Sequence, residues 1–197
     1  MAKKKDYEKK RDFSKTPEPK GGKRRPGKRP IFVIQHHKAR SEHYDFRLEV
    51  DGVLKSWAVP KGPSTDPRVK RLAVPTEDHP LDYADFEGVI PEGEYGAGPV
   101  IVWDTGPYKN LTEKGEKTKS MAKAVKDGHV LVELKGKKLR GGYALQRMGK
   151  SDGAQWLLVK MRDDEADARR NPVSTEPESV KSGRSVDEIV RKKTRQK

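Results

Sequence analysis

Between positions 31 and 161 the apolar residues fall in short β-branched or aromatic runs, each fenced by glycine, proline or aspartate. Ile31-Phe-Val-Ile34, Val100-Ile-Val-Trp103, Val130-Leu-Val132 and Trp156-Leu-Leu-Val159 are the clearest. Runs of this length and kind predict strands, and Asp51-Gly52, Lys61-Gly-Pro63, Asp66-Pro67 and the stretch from Gly93 to Gly98 predict the turns between them. Residues 128–135, 139–148 and 155–161 predict three more strands, antiparallel because glycine-containing turns join them. One helix is predicted from about Glu113 to Lys126, where good helix formers precede a stop at Asp127-Gly128. Many short strands, one helix and no internal repeat predict a mainly β domain, a compact antiparallel barrel or sandwich.

The flanks read differently. Residues 1–30 are rich in Lys, Arg, Pro and Gly and are expected to form a mobile basic arm, with a short helix over Asp6 to Phe13 stopped by Pro17, Pro19 and Gly21. After Arg162 the chain is acidic, then polar with Pro172 and Pro177. It closes on a helix predicted over Ser185 to Lys192, opened by a Ser-x-x-Glu cap. The expected division is a basic arm at 1–30, a folded domain at 31–162 and a linker-like tail at 163–197.

Charge and composition narrow the class. Hydrophobic residues make up 31% of the 197 and charged residues 38%, so only part of the chain has the apolar content for a core. A net charge of +14 predicts an anionic partner, of which nucleic acid is the commonest. The absence of cysteine excludes disulfides, a thiolate nucleophile and thiolate metal sites, so any metal sits on His, Asp, Glu or water. No apolar run is long enough for a membrane span and the N-terminus lacks a signal-peptide core; a cytoplasmic, monomeric protein is expected.

The candidate chemistry lies in residues 31–50. With 31–37 and 43–50 as strands joined by the loop Lys38 to Glu42, side chains alternate faces with period two. Gln35 and His37 then share one face, and His43, Asp45 and Arg47 share one face of the next strand. Hairpin pairing sets His37 opposite His43, about 5 Å apart at Cβ. Two imidazoles and a carboxylate make a nitrogen and oxygen site with open positions, suited to Mn²⁺, Zn²⁺ or Fe²⁺. The alternative on this strand is that His36, not His37, is the inward residue. An arginine beside a metal suits phosphate chemistry, because a guanidinium fork and a cation together neutralise charge on a phosphoryl group. His79, in Thr76-Glu-Asp-His-Pro-Leu-Asp-Tyr83, is placed to donate to a phosphate oxygen or to protonate a leaving group. Lys61 and Arg71 offer further cationic contacts.

These residues resemble a known family, the 3′-phosphoesterase domain of bacterial DNA ligase D, which also occurs as a free-standing protein. The resemblance runs through Arg11-Asp-Phe13 with Thr16-Pro-Glu-Pro19, Phe32-Val-Ile-Gln35-x-His37, His43-Tyr-Asp-Phe-Arg-Leu-Glu49 and Asp51 to Pro63. It continues through Glu77-Asp-His-Pro-Leu-Asp-Tyr83 and Phe86 to Gly98. It implies a small antiparallel β-barrel with one or two short helices, acting with Mn²⁺ on 3′ ends of DNA or RNA/DNA primer-templates. Removal of a 3′-terminal ribonucleoside and then of the 3′-phosphate leaves a 3′-OH for end joining by a separate DNA ligase, which implies a nucleoid-associated role. Carried over by position, the resemblance makes His37, His43 and Asp45 the metal ligands and sets Gln35, Arg47, His79 and Tyr83 around the scissile phosphate. Lys61, Arg71 and Glu77 join a supporting polar network, and Arg11, Asp12 and Glu18 belong to an N-terminal segment that folds back over the site. Ser179 to Val190 resembles the stretch that joins such a domain to a ligase domain.

Other patterns mislead. Lys150-Ser-Asp-Gly153 fits the Lys-x-Asp-Gly of nucleotidyltransferase ligases, and Glu87-Gly-Val-Ile90 another ligase motif, but the two come in the wrong order. Gly149-Lys-Ser151 lacks the first glycine of a P-loop. Two rival readings are an iron oxygenase, with His43, Asp45 and a distant His129 plus Arg140, and a non-catalytic DNA-binding module.

Overall fold

The computed structural model describes residues 2–114, 117–151 and 154–194. The fold is an eight-stranded antiparallel barrel. β1 (Ile31–Lys38), β2 (Glu42–Val50), β3 (Val53–Val59) and β4 (Lys70–Pro75) follow in order, and β12 (Trp156–Lys160), β11 (Arg140–Arg147), β10 (His129–Lys135) and β7 (Gly98–Asn110) complete the circuit. β7 closes it by pairing with β1. Two short strands lie off the ring: β5 (His79–Pro80) on β3 and β6 (Gly88–Ile90) on β7. The β1–β7 register shifts between Ile34 and Gln35: Ile34 pairs with Asp104 and Gln35 with Val102. Trp103 is the extra residue, and such a bulge bends the wall where it occurs.

Alternation along each strand separates two cores. Phe32, Ile34, Tyr44, Phe46, Leu48, Trp57, Tyr143 and Leu158 point into the barrel and fill it. Val33, Leu54, Val100 and Val102 face outward and pack beneath a cap built of Tyr7, Leu81, Tyr83, Ala84, Phe86 and Ile90. The cap comes from the N-terminal arm, a 3₁₀ turn at Leu81–Asp85 and β6. The arm is tied down: Tyr7 Oη donates to the Pro19 carbonyl at 2.8 Å, and Lys23 and Arg24 main-chain N–H groups donate to Asp82 at 3.2 and 3.0 Å.

Three expectations shift. The arm helix, α1, spans Ala2–Lys9 and stops short of Phe13, because Asp12 turns the chain by accepting from the Ser14 N–H and hydroxyl. The helix expected over 113–126 is shorter: β8 (Glu113–Lys114) pairs with β9 (Lys117–Thr118), and α2 spans Met121–Asp127. Asn110 binds the Lys119 carbonyl at 2.6 Å and Ser120 caps the helix, so the chain enters it only at Met121. The stretch after Arg162 lies against the wall. Trp103 Nε1 donates to the Glu176 carbonyl at 2.8 Å, and α3 (Val186–Thr194), opened by a Ser185–Glu188 capping box, buries Val186 and Ile189 against Ile101. Among the described residues no helix is long and apolar enough to cross a membrane. Asp152 and Gly153 of the Lys-x-Asp-Gly sequence lie outside the described residues.

Candidate active site

The outward positions of β1 and β2 carry Gln35, His37, His43, Asp45 and Arg47, beneath the cap. Their register sets Gln35 opposite Asp45 and His37 opposite His43, and brings the two imidazole centroids to 4.9 Å. One ligand atom each from His37, His43 and Asp45 lie within 4.8 Å of one another. Asp45 Oδ2 is 3.9 Å from His37 Nδ1 and 3.6 Å from His43 Nε2. The other nitrogen of each ring meets a main-chain carbonyl: His37 Nε2 is 2.9 Å from Gly96 O, and His43 Nδ1 is 2.9 Å from Ser41 O. A carbonyl only accepts, so those nitrogens carry the hydrogens, and in the neutral rings the lone pairs of His37 Nδ1 and His43 Nε2 turn toward Asp45. Two oriented imidazole nitrogens and one carboxylate oxygen fit a divalent metal ion.

Electrostatics agree with that use. Burial pushes the His37 imidazolium down to about 4, keeping the ring neutral and able to donate its lone pair. At His43 burial is outweighed by Asp45 and the Ser41 carbonyl, and the pKa rises. Burial alone would raise the Asp45 carboxyl, but Arg47, His43 and His37 together hold it well below the usual carboxylate range.

Arg47 links this cluster to the next. Buried, it donates from Nε to Gln35 Oε1 at 2.9 Å, from Nη1 to Ser56 Oγ at 2.8 Å and from Nη2 to Asp45 Oδ2 at 3.1 Å. Gln35 is held in turn: its amide donates to the Tyr83 and Phe86 carbonyls, both at 3.0 Å, which aims its oxygen at the guanidinium. His79 sits between two arginines. Its Nδ1 is 2.9 Å from the Glu77 carbonyl and 2.9 Å from Arg47 Nη1, while Nε2 is 3.4 Å from Arg11 Nη2. The tautomer with hydrogen on Nδ1 donates to Glu77 and leaves Nε2 to accept from Arg11. Burial, then Arg47 and Arg11, hold the His79 pKa well below the ordinary value.

The arm completes the site. Arg11 donates to Glu18 at 2.8 Å and to Glu77 at 3.1 Å and lies 3.8 Å over the Tyr7 ring. Tyr83 Oη donates to Glu18 at 3.0 Å; burial and that carboxylate raise its pKa well above 10, so it stays a phenol. A cleft of about 230 Å³ opens among Arg11, His37, His43, Asp45, Arg47 and His79.

Not every residue singled out in the sequence reaches this cleft. Asp12 is exposed and holds its own turn, Lys61 is exposed in the turn after β3, and Arg71 on β4 has a buried Nε with no partner; none of the three lines the cleft. His36 points into the barrel, stacked on Tyr44 at 4.4 Å with Nε2 2.7 Å from Glu42. His129 pairs with Gln146 at 2.6 Å and stands outside the His37, His43 and Asp45 cluster, and Arg140 binds the Gly136 carbonyl, which removes the geometry an oxygenase site required. Sequence reasoning missed Ser56, Thr76, Tyr95 and Gly96. Ser56, Tyr95 and Gly96 lie within stretches that carry the family resemblance, and Gly96 adds a signal of its own, a glycine-rich loop where its φ of +76° favours glycine.

Residues 35–147 match the family model for the DNA ligase D 3′-phosphoesterase domain. The chain belongs to that family. Among curated relatives of this phosphoesterase-family chain, it is 50% identical over 186 residues to the "Multifunctional non-homologous end joining protein LigD" of Pseudomonas aeruginosa, covering 92% of this chain and 21% of the relative. It is 50% identical over 158 residues to the "Multifunctional non-homologous end joining DNA repair protein LigD" of Mycobacterium tuberculosis, covering 80% and 19%. The LigD protein of Mycolicibacterium smegmatis is 46% identical over 159 residues, covering 80% and 20%. The chain thus spans about a fifth of the length of the curated relatives it matches.

Proposed function

We propose that this chain is a divalent-metal-dependent phosphoesterase that cleans 3′ ends of DNA, with Mn²⁺ as the working ion. It removes a 3′-terminal ribonucleoside as a phosphodiesterase and a 3′-phosphate as a monoesterase, leaving a 3′-OH for end joining by a separate ligase. The observation that carries this reading is the guanidinium of Arg47, which donates to Asp45 of the His37, His43 and Asp45 cluster and lies 2.9 Å from His79 Nδ1 within one cleft.

His37 Nδ1, His43 Nε2 and Asp45 Oδ2 would hold the ion, which when bound supplies a Lewis acid that draws charge from a phosphoryl oxygen. Arg47 and Arg11 flank the position a phosphate takes and stabilise the charge that grows on its oxygens in the transition state. Gln35 keeps Arg47 in place, and Glu18, itself held by Tyr83, keeps Arg11 in place. An anionic phosphoryl group between the two guanidinium groups offsets the burial and the arginine charges that keep His79 neutral, so Nε2 takes up a proton as substrate binds. In monoester hydrolysis, water supplies the oxygen of the new P–O bond, the P–O3′ bond breaks, and the Nε2 proton passes to O3′.

The test is phosphate release from a 3′-phosphorylated primer and ribonucleoside release from a primer with one 3′ ribonucleotide, each with and without Mn²⁺. Release in both, lost in His43→Ala and Asp45→Ala, is expected. Arg47→Ala is expected to lose rate far more than metal affinity. Salt-sensitive DNA binding with no turnover under any divalent ion would instead make the chain a binding module.

A further inference from the structure

A second cleft, of about 490 Å³, lies beside the catalytic one, and the two share Thr76, Glu77 and Tyr95 as walls. Tyr95 stands on the shared edge, in the loop between β6 and β7. Among the described residues it is the one aromatic side chain in the set of large hydrophobics left exposed, at 50% of its surface. Its close neighbours are two cations and the carboxylate of Glu77, to which Lys10 Nζ also donates at 3.3 Å. Lys10 Nζ lies 4.6 Å from the ring centroid and 3.4 Å from Oη, and the Arg11 guanidinium lies 5.6 Å from the centroid. Lys9 and Lys10 line the second cleft with it, opposite the carboxylates of Asp6 and Glu77. Neither hydrophobic cluster of the barrel or cap includes this ring.

An open aromatic face flanked by ammonium groups is the arrangement on which nucleobases stack while lysines meet the adjoining backbone phosphates. Arg11 and Tyr95 wall the same cleft, so the base within reach of Tyr95 belongs to the nucleotide whose phosphate reacts. We propose that Tyr95 is a stacking platform for the base of the 3′-terminal nucleotide, and that Lys9 and Lys10 in the second cleft receive the phosphate on its 5′ side. This rests on the proposed 3′-end activity. It makes the enzyme a reader of nucleotides in addition to phosphates, and indifferent to which base is present, because every base offers a π face.

The experiment compares two primer-templates that differ only in the terminal 3′-phosphorylated residue, a normal nucleotide in one and a base-free sugar in the other. Wild-type enzyme is expected to favour the base-bearing end by at least about tenfold in KM. Tyr95→Ala is expected to reduce that ratio to about one, with the loss in KM and not in kcat, and Tyr95→Phe to restore it. Tyr95→Ala slowing both substrates alike would show a clasp for the N-terminal arm and overturn the proposal, as would an unchanged ratio. Fluorescence anisotropy with the same two oligonucleotides reads the base preference without turnover. A wild-type protein that releases no phosphate while keeping a Tyr95-dependent binding ratio would sink the activity and spare the stacking site; loss of the ratio in that assay would sink the stacking site alone.

Discussion

At the scale of single residues, what distinguishes His37 and His43 from surface histidines is the main-chain carbonyl each one holds. Those carbonyls decide which nitrogen is free, and the Gly96 carbonyl depends on a φ of +76° that side chains rarely adopt. Gly96→Ala is therefore expected to turn that carbonyl away from His37 and weaken Mn²⁺ binding by roughly 10- to 100-fold, as read by calorimetric titration. In the proposed metal site protons compete with the ion for the same nitrogens. The His43 pKa is raised above 6.5, whereas His37 protonates only near about 4, so His43 takes the first competing proton. Apparent metal affinity should fall about tenfold per pH unit below the His43 pKa. A flat affinity from neutral pH down to about 5 would place His43 outside the ion's shell. Period-two reasoning reached this cluster because every member lies on one hairpin. The fastening of Arg47 by Ser56, and the approach of Arg47 and Arg11 to His79, involve residues on other elements that no local pattern links to them.

At the scale of elements, the bulge at Trp103 and the loop after β10 are locked by one carboxylate. Asp104 is fully buried and accepts from the main-chain N–H groups of Lys137, Lys138 and Leu139 at 3.0, 3.3 and 2.8 Å. Asp104→Ala strands those donors without a water-exposed alternative. It is expected to cost about 3 kcal/mol or more of stability, visible as a lower urea midpoint with an unchanged slope. The strands were legible because short β-branched runs between turn residues admit little else. The helix expected over 113–126 was too long because helix propensity registers good formers but not the Asn110 bond to Lys119, which keeps the chain out of the helix until Ser120 caps it. Composition alone reads the N-terminal arm as mobile, whereas the family resemblance already folds Arg11, Asp12 and Glu18 back over the site. The arm's lysines and arginines read as solvated, while Tyr7, Thr16 and Glu18, spaced through the same stretch, are buried against the barrel wall.

At the scale of the whole molecule, the site lies outside the barrel, roofed by segments from three distant parts of the chain, and buried charge gathers under that roof. Arg11, Glu18, Glu77, Asp45 and Arg47 are all nearly inaccessible and satisfy one another, an arrangement in which loss of one partner costs more than the pair contributes. Acid should open this region. His37 and His79 have folded-state pKa values below the unfolded 6.5, so between those values the unfolded chain binds protons that the folded one refuses. Their contribution is complete above about pH 6.5 and declines as pH falls, for His37 down to about 4. Metal-free protein is expected to lose thermal stability over that window, and His37→Asn to flatten the dependence; equal pH slopes in the two proteins would contradict the burial of a neutral His37.

The sequence by itself determined the strand pattern, the hairpin that pairs His37 with His43, and the class of chemistry two imidazoles, a carboxylate and an arginine support, because these follow from local periodicity and side-chain type. Only the tertiary structure decided which wall of the barrel bears the site, which residues of the basic arm reach it, and that His79 lies between two arginines. Those outcomes depend on contacts between residues dozens of positions apart, where burial and the pairing of charges, not neighbouring sequence, select the arrangement.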